Sequence, residues 1–306
     1  LPRFTVSDVV VMLLIREAIV SLQSFVLGVG VLLYLLLQWF DVWGAPPSWL
    51  QDVRGCPGSA LVFSLLYLVL VNLIIRLVFR GKEWMIGVCG SFLGVVFGTG
   101  LLTAILNIYN LRIFGCYVMV LSFFHFSEYF TTAATNPTAV TLDSYLLNHS
   151  VSYWVAAVSS WLEYVLEYFF APYIKTLWYI SVIGALLCIF GEIVRKLAMV
   201  TAQKNFNHIV QVKRQSGHKL VTHGVYAWFR HPSYVGWFWW SIGTQVLLVN
   251  PVCVVIYTAA SWTFFNERIY FEERTLNDFF EEEYVNYQKK VGTGLPFIKG
   301  YSISEG

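Results

Sequence analysis

The sequence predicts an all-α, polytopic integral membrane protein with about eight transmembrane helices, and three observations carry that expectation. Hydrophobic residues make up 57% of the chain. Charged residues make up 12%, about half the roughly 25% usual in soluble domains. Apolar runs recur at lengths near the ~20 residues that cross a hydrocarbon core. A soluble domain does not have this composition.

The runs fall at 9–39, 58–80, 84–107, 112–134, 152–170, 173–196, 233–249 and 251–266. The first is longer than a signal-peptide core and is read as a retained helix. Lys and Arg collect after the second run (Arg76, Arg80, Lys82) and after the sixth (Arg195, Lys196, Lys204, Lys213, Arg214). The positive-inside rule puts both places in the cytoplasm. That parity also places both termini and the 197–232 segment there. The seventh and eighth runs form a hairpin turning at Asn250-Pro251, where proline ends one helix and starts the next.

Arg16, Glu17, Glu128, Glu163, Glu167 and Glu192 fall within the spans; a transporter would use them as an ion pathway, but most are expected to be paired structurally, since an unpaired charge costs at least a few kcal/mol in hydrocarbon. Arg16 with Glu17 reads as a local pair, Glu163 and Glu167 sit one turn apart, and Glu192 lies one turn before Lys196. The five cysteines are scattered, with neither a CxxC nor a Cys/His cluster, and read as small apolar filler. A net charge of +2 supplies no concentrated basic face, so no nucleic-acid partner is expected.

No internal repeat is visible, and the halves differ in character, which counts against a transporter built from related halves. Residues 1–200 read as a transmembrane scaffold or lipid-facing wall, and residues 201–306 as the region that carries chemistry. Within the latter, GHKLVTHGVYAWFRHPSYVG (217–236) gathers histidines, basic residues and turn-forming glycines. His208, His218, His223 and His231 lack an i,i+4 pair and a completing carboxylate or thiol, so no metal is expected. The loop signal Gln215-Ser216-Gly217, the stretch Leu220-Val221-Thr222 and then Gly224 offer exposed backbone donors suited to an adenosine-type ligand. Arg230-His231-Pro232 precedes the seventh span; alone it reads equally as a membrane anchor with a snorkelling arginine or as a helix start able to bind an anion. Arg268 and Glu272 lie four apart, on one helical face, beside Glu267, Glu273, Asp278 and Glu281 to Glu283, a charge run of the kind that is usually solvated.

Asn205-Phe206-Asn207-His208, GHKLVTHGVYAWFRHPSYVGWFWW, Asn250-Pro251, Arg268 with Glu272-Glu273, and Tyr284 and Tyr287 through Gly294-Leu295-Pro296-Phe297-Ile298 closely resemble the isoprenylcysteine carboxyl methyltransferase family. The match is specific over roughly 204–300 and rests on general hydrophobic architecture before residue 200. The resemblance implies S-adenosylmethionine as methyl donor, S-adenosylhomocysteine as product, prenylated proteins as partners, and an endoplasmic-reticulum membrane with the site facing the cytoplasm. Carried over, Gln211, His218, Lys219, Leu220, Val221, Tyr226, His231, Pro232, Ser233, Tyr234 and Glu272 bind the cofactor, and Arg268 is the catalytic residue that binds the substrate carboxylate. Phospholipid amine methyltransferases and nicotinamide-dependent sterol-type reductases carry similar segments; Arg268 disfavours a cationic amine acceptor.

Overall fold

A computed structural model describes residues 16–38, 48, 56, 58–148, 150–214 and 217–302. Residues 9–15 and 39 of the first expected span, and Gln215-Ser216 of the loop signal, lie outside the described residues. The described residues form helices joined by turns: α1 (Arg16–Val29), a 3-10 turn (Gly30–Leu33) into α2 (Tyr34–Gln38), then α3 (Ser59–Val78), α4 (Lys82–Leu106), α5 (Arg112–Thr135), α6 (Val151–Phe170), α7 (Trp178–Ala202), α8 (Pro232–Leu248) and α9 (Pro251–Gln288). Among the described residues four segments are long and apolar enough to cross a bilayer, Arg16–Leu36, Ser59–Val78, Lys82–Leu106 and Arg112–Thr135, which correspond to the first four of the eight expected runs. The chain divides into two compact units between residues 149 and 150, a division by packing that does not coincide with the functional boundary expected from the sequence at 200/201.

In the 7–149 unit, glycine lets helix backbones touch. A Cβ on Gly94 would lie 2.1 Å from the Phe25 carbonyl oxygen, and one on Gly28 would lie 2.3 Å from that of Ser91, so α1 and α4 meet through small residues. Close backbone approach of this kind replaces the hydrophobic drive that lipid removes. Phe25 stacks on Phe126 at 3.9 Å between ring centroids. Buried Tyr145 is satisfied by Ser21 Oγ at 2.9 Å and by the Ile86 carbonyl at 3.1 Å. The expected Arg16/Glu17 pair is not the one formed: Arg16 Nε donates to Glu83 Oε1 at 2.5 Å. Adjacent helix positions point in different directions, and Arg16 reaches the first turn of α4 instead.

In the 150–306 unit, α7 and α8 run antiparallel on glycine contacts. A Cβ on Gly184 would lie 2.1 Å from Leu247 N, and one on Gly191 would lie 2.4 Å from the Gly236 carbonyl oxygen. The hairpin between α8 and α9 turns where expected, with Val249 left-handed (φ 57°) and Pro251 opening α9. Its polar groups are met by α6 and the segment after it. Glu163 accepts the N–H groups of Val252 and Cys253, both at 2.7 Å, which places a carboxylate at the positive start of α9. Lys175 Nζ lies 2.5 Å from Glu167 Oε2 and donates to the Leu248 and Val249 carbonyls at 2.9 and 3.0 Å, which places a cation at the negative end of α8. Glu192 pairs with Lys196 at 3.4 Å, as its spacing predicted. The Gly94→Ala variant is expected to lose about 1–3 kcal/mol of stability by forcing α1 from α4, read as a lower thermal midpoint in lipid or detergent; an unchanged midpoint counts against the close-contact account.

Candidate active site

Glu273 is completely buried. Its Oε1 accepts Arg230 Nε at 2.7 Å, His231 Nε2 at 2.9 Å and the Tyr284 hydroxyl at 3.2 Å; its Oε2 accepts the Tyr301 amide at 2.9 Å and Gln288 Nε2 at 3.1 Å. Burial opposes its charge, but the hydrogen bonds and charges of His231 and Arg230 outweigh that effect and hold the carboxyl below the ordinary carboxylate range. The charge run is therefore not uniformly solvated. Glu267, Asp278 and Glu281 to Glu283 are exposed, while Glu273 is at the centre of the fold here.

Arg230 is likewise no snorkelling anchor. It is 8% exposed and, besides Glu273, donates to the Val291 carbonyl and to those of Lys299 at 2.9 Å and Gln288 at 3.4 Å. The backbone reinforces this tie, since Arg230 N and His231 N donate to the carbonyls of Gly292 at 2.9 Å and Thr293 at 3.3 Å. The carboxy-terminal segment thus closes over the start of α8. Gly300 is needed where it passes the carboxylate: φ is 82° and a Cβ would lie 1.9 Å from Glu273 Oε2.

Above this layer sits a second one. The His231 ring stacks on Tyr234 with centroids 5.5 Å apart and planes 6° from parallel. The Tyr234 hydroxyl donates to Glu272 Oε2 and accepts from Arg268 Nε at 3.1 Å. Arg268 Nη2 donates to the His208 carbonyl at 2.8 Å. Consecutive residues on a helix point in different directions, so Glu273 turns to the buried layer while Glu272 turns to Tyr234. The expected pairing of Arg268 and Glu272 on one face holds, and a tyrosine joins them.

The remaining predicted residues divide into two groups. Tyr226 belongs with the centre: its carbonyl accepts the Tyr287 hydroxyl at 2.5 Å, and burial, with Glu272 nearby, raises its phenol above the ordinary range. His231, Pro232 and Ser233 open α8, but the Ser233 hydroxyl accepts Arg195 Nη1 at 2.7 Å, and the Arg195 guanidinium also lies 5.1 Å from the Trp237 ring centroid. Arg195, counted in the sequence as a cytoplasmic positive charge, is 2% exposed. His218 and Leu220 pack against the later part of α9, and Val221 follows them half-buried in the same segment. His218 meets the edges of Phe279 and Phe280, Leu220 packs on the cluster of Phe280, Tyr284 and Tyr287, and burial followed by Arg214 lowers the His218 pKa. Lys219 N donates to Asn205 Oδ1 at 2.9 Å. Gln211 Nε2 donates to the Ile209 carbonyl at 3.2 Å in the loop that also supplies the His208 carbonyl to Arg268.

A protein-S-isoprenylcysteine O-methyltransferase of Xenopus laevis is 49% identical over 293 residues, covering 95% of this chain and 98% of that protein. The chain belongs to the isoprenylcysteine carboxyl methyltransferase family. A Homo sapiens enzyme of the same name is 48% identical over 94% of this chain and 95% of its own length. The isoprenylcysteine carboxyl methyltransferase (ICMT) family model matches residues 182–278, a span that includes Arg195, Arg230, Tyr234, Arg268, Glu272 and Glu273. A solved structure described as the eukaryotic intramembrane Ras methyltransferase ICMT superposes with a TM-score of 0.84 at 43% identity, covering 94% of this chain and all of that one. For this ICMT-family chain, Glu273, Arg230 and Arg195 are the residues that sequence reasoning passed over. The adjacent Glu272-Glu273 pair was visible, but only the fold shows that the second member is interior.

A carboxylate whose pKa is lowered by folding contributes stability that is complete above its unfolded pKa and is lost as pH falls through the lowered folded value. Thermal midpoints of this protein are therefore expected to fall as the medium is acidified below the ordinary carboxylate range. Glu273→Gln leaves Arg230 buried without its charge partner, so a loss of order 3–5 kcal/mol is expected, with a flatter acid limb. A variant with the parent midpoint and pH profile refutes the role given to Glu273.

Proposed function

We propose that this chain transfers a methyl group from S-adenosylmethionine to the carboxy-terminal α-carboxylate of farnesyl- or geranylgeranyl-cysteine in processed CaaX proteins, leaving a methyl ester and S-adenosylhomocysteine. The observation that carries this reading is the Tyr234 hydroxyl, which links a carboxylate receptor, Arg268, to an acidic group, Glu272, at the start of α8. The donor set fits the methyl donor. The segment 218–222 enters none of the backbone-to-backbone hydrogen bonds among the described residues, and apart from Lys219 N, which donates to Asn205 Oδ1, its amides suit an adenosine-type ligand. Gln211, His218, Lys219, Leu220, Val221, Tyr226 and Glu272 would hold the cofactor. His231, Pro232, Ser233 and Tyr234 would contribute through the opening turn of α8, because the side chains of His231 and Ser233 already serve Glu273 and Arg195. When bound, the cofactor supplies an electrophilic sulfonium methyl.

The acceptor needs no catalytic base. An α-carboxylate has a pKa near 3.5 and is already ionised at neutral pH. Tyr234 and the His208 carbonyl hold Nε and Nη2 of Arg268, which leaves the Nη1 edge of the guanidinium to face a carboxylate. A planar fork permits bidentate contact and stays charged. The main task is orientation, with reacting atoms about 3 Å apart and water kept out. Because charge is neutralised as the ester forms, a clamp that binds the carboxylate too tightly stabilises the ground state over the transition state.

The prenyl chain gains about 0.8 kcal/mol for each CH₂ it keeps in lipid. It would therefore reach the site sideways through the membrane, lined by residues of the 1–200 scaffold, while the polar cofactor comes from the cytoplasm. Both termini and the site face the cytoplasm in this reading, and the membrane is that of the endoplasmic reticulum.

Purified protein in lipid is expected to move labelled methyl from S-adenosylmethionine to N-acetyl-farnesylcysteine, recovered as base-labile methanol, and not to phosphatidylethanolamine. Labelling of the amine lipid, or of neither acceptor by folded protein, defeats the proposal. Arg268→Lys is expected to lower kcat/KM about tenfold or more, and Tyr234→Phe, which keeps the ring stack, to raise the prenylcysteine KM by about tenfold. Glu272→Ala should weaken cofactor affinity in a direct binding titration, and unchanged affinity removes Glu272 from that role.

A further inference from the structure

The carboxy-terminal loop 291–300 is tied to α9 at the level where that helix leaves its apolar run. Trp262 Nε1 donates to the Pro296 carbonyl at 2.8 Å, and Trp262 lies near the end of the 251–266 run, whose Val252, Val255 and Ile256 are exposed. The next residue in the loop is Phe297. It is 94% exposed and has φ 63°, a left-handed conformation disfavoured for a bulky side chain.

The surrounding loop enforces this projection. Leu295 and Ile298 are buried on either side, and Thr293 Oγ1 donates to the Ile298 carbonyl at 2.6 Å. Gly294, at φ 96°, sits where a Cβ would lie 2.6 Å from Val235 and 2.7 Å from Phe229, so glycine lets the start of the loop pack against these two side chains. Lys289, Lys290 and Lys299 are exposed, and residues 289–300 contain no Asp or Glu. Trp228, just before α8, is 77% exposed. Aromatic residues favour the headgroup level of a bilayer, and lysines beside them favour anionic lipid.

We propose that loop 291–300 is a membrane-contacting finger that inserts Phe297 into the interface of an anionic leaflet and so braces the segment that closes over Glu273. This concerns a surface outside the reaction site and holds whichever acceptor the site methylates.

The test is depth. A nitroxide on Phe297→Cys, in a Cys56→Ser background with that background labelled as control, is placed in vesicles of phosphatidylcholine with and without phosphatidylserine. Oxygen is expected to relax the label far more than a water-soluble nickel chelate, and the ratio is expected to rise with phosphatidylserine; replacing Lys289, Lys290 and Lys299 together by Gln should remove that rise. A second label on Lys299→Cys should report a shallower site. Retained methyl transfer certifies the fold. Dominant relaxation by the nickel chelate overturns the proposal, as does a Phe297 signal that shifts on adding N-acetyl-farnesylcysteine, since that assigns the residue to the acceptor's path. A lipid-charge effect that survives the triple substitution overturns the part given to the lysines.

Discussion

The arrangement of the carboxy-terminal unit depends on one buried carboxylate. Glu273 has no access to water, and an ion in that position is tolerated only when donors satisfy it from the protein. The donors come from separate parts of the chain: Arg230 and His231 before α8, Tyr284 and Gln288 late in α9, and Tyr301 beyond it. Satisfying the charge therefore requires these segments to converge. Once they do, the His231 ring is set, Tyr234 stacks against it, and Arg268 and Glu272 acquire a common partner.

The opposite end of the α8–α9 hairpin is held by the same physics with simpler parts. Glu163 meets the amide end of α9, and Lys175 meets the carbonyl end of α8, so each charge offsets a helix terminus that would otherwise lack partners. Asn250 adds a hydrogen bond to the Ser160 carbonyl at 2.9 Å. Glycines along α7 and α8 then bring the backbones into contact over the length between these two polar clusters. A hairpin pinned at both ends has little freedom to slide. That rigidity suits the proposed reaction, in which the acceptor is already charged and orientation is the main task.

Much of this was legible in the chain itself. Its apolar runs and low charge predicted an all-helical membrane protein, Pro232 and Pro251 marked helix starts, and the spacing of Arg268 and Glu272 placed both on one face, because these properties follow from local periodicity and backbone chemistry. The family motifs directed attention to residues beyond 204. Tertiary structure alone decided which charges are interior. Arg16 selects Glu83 over its neighbour Glu17, Arg195 leaves the expected cytoplasmic charge cluster to hold Ser233, and Glu273 is buried within a run that composition marks as solvated. The physical reason is that a charge is stabilised by the donors around it in space, and those around Glu273 are brought from positions tens of residues apart only when the chain has folded.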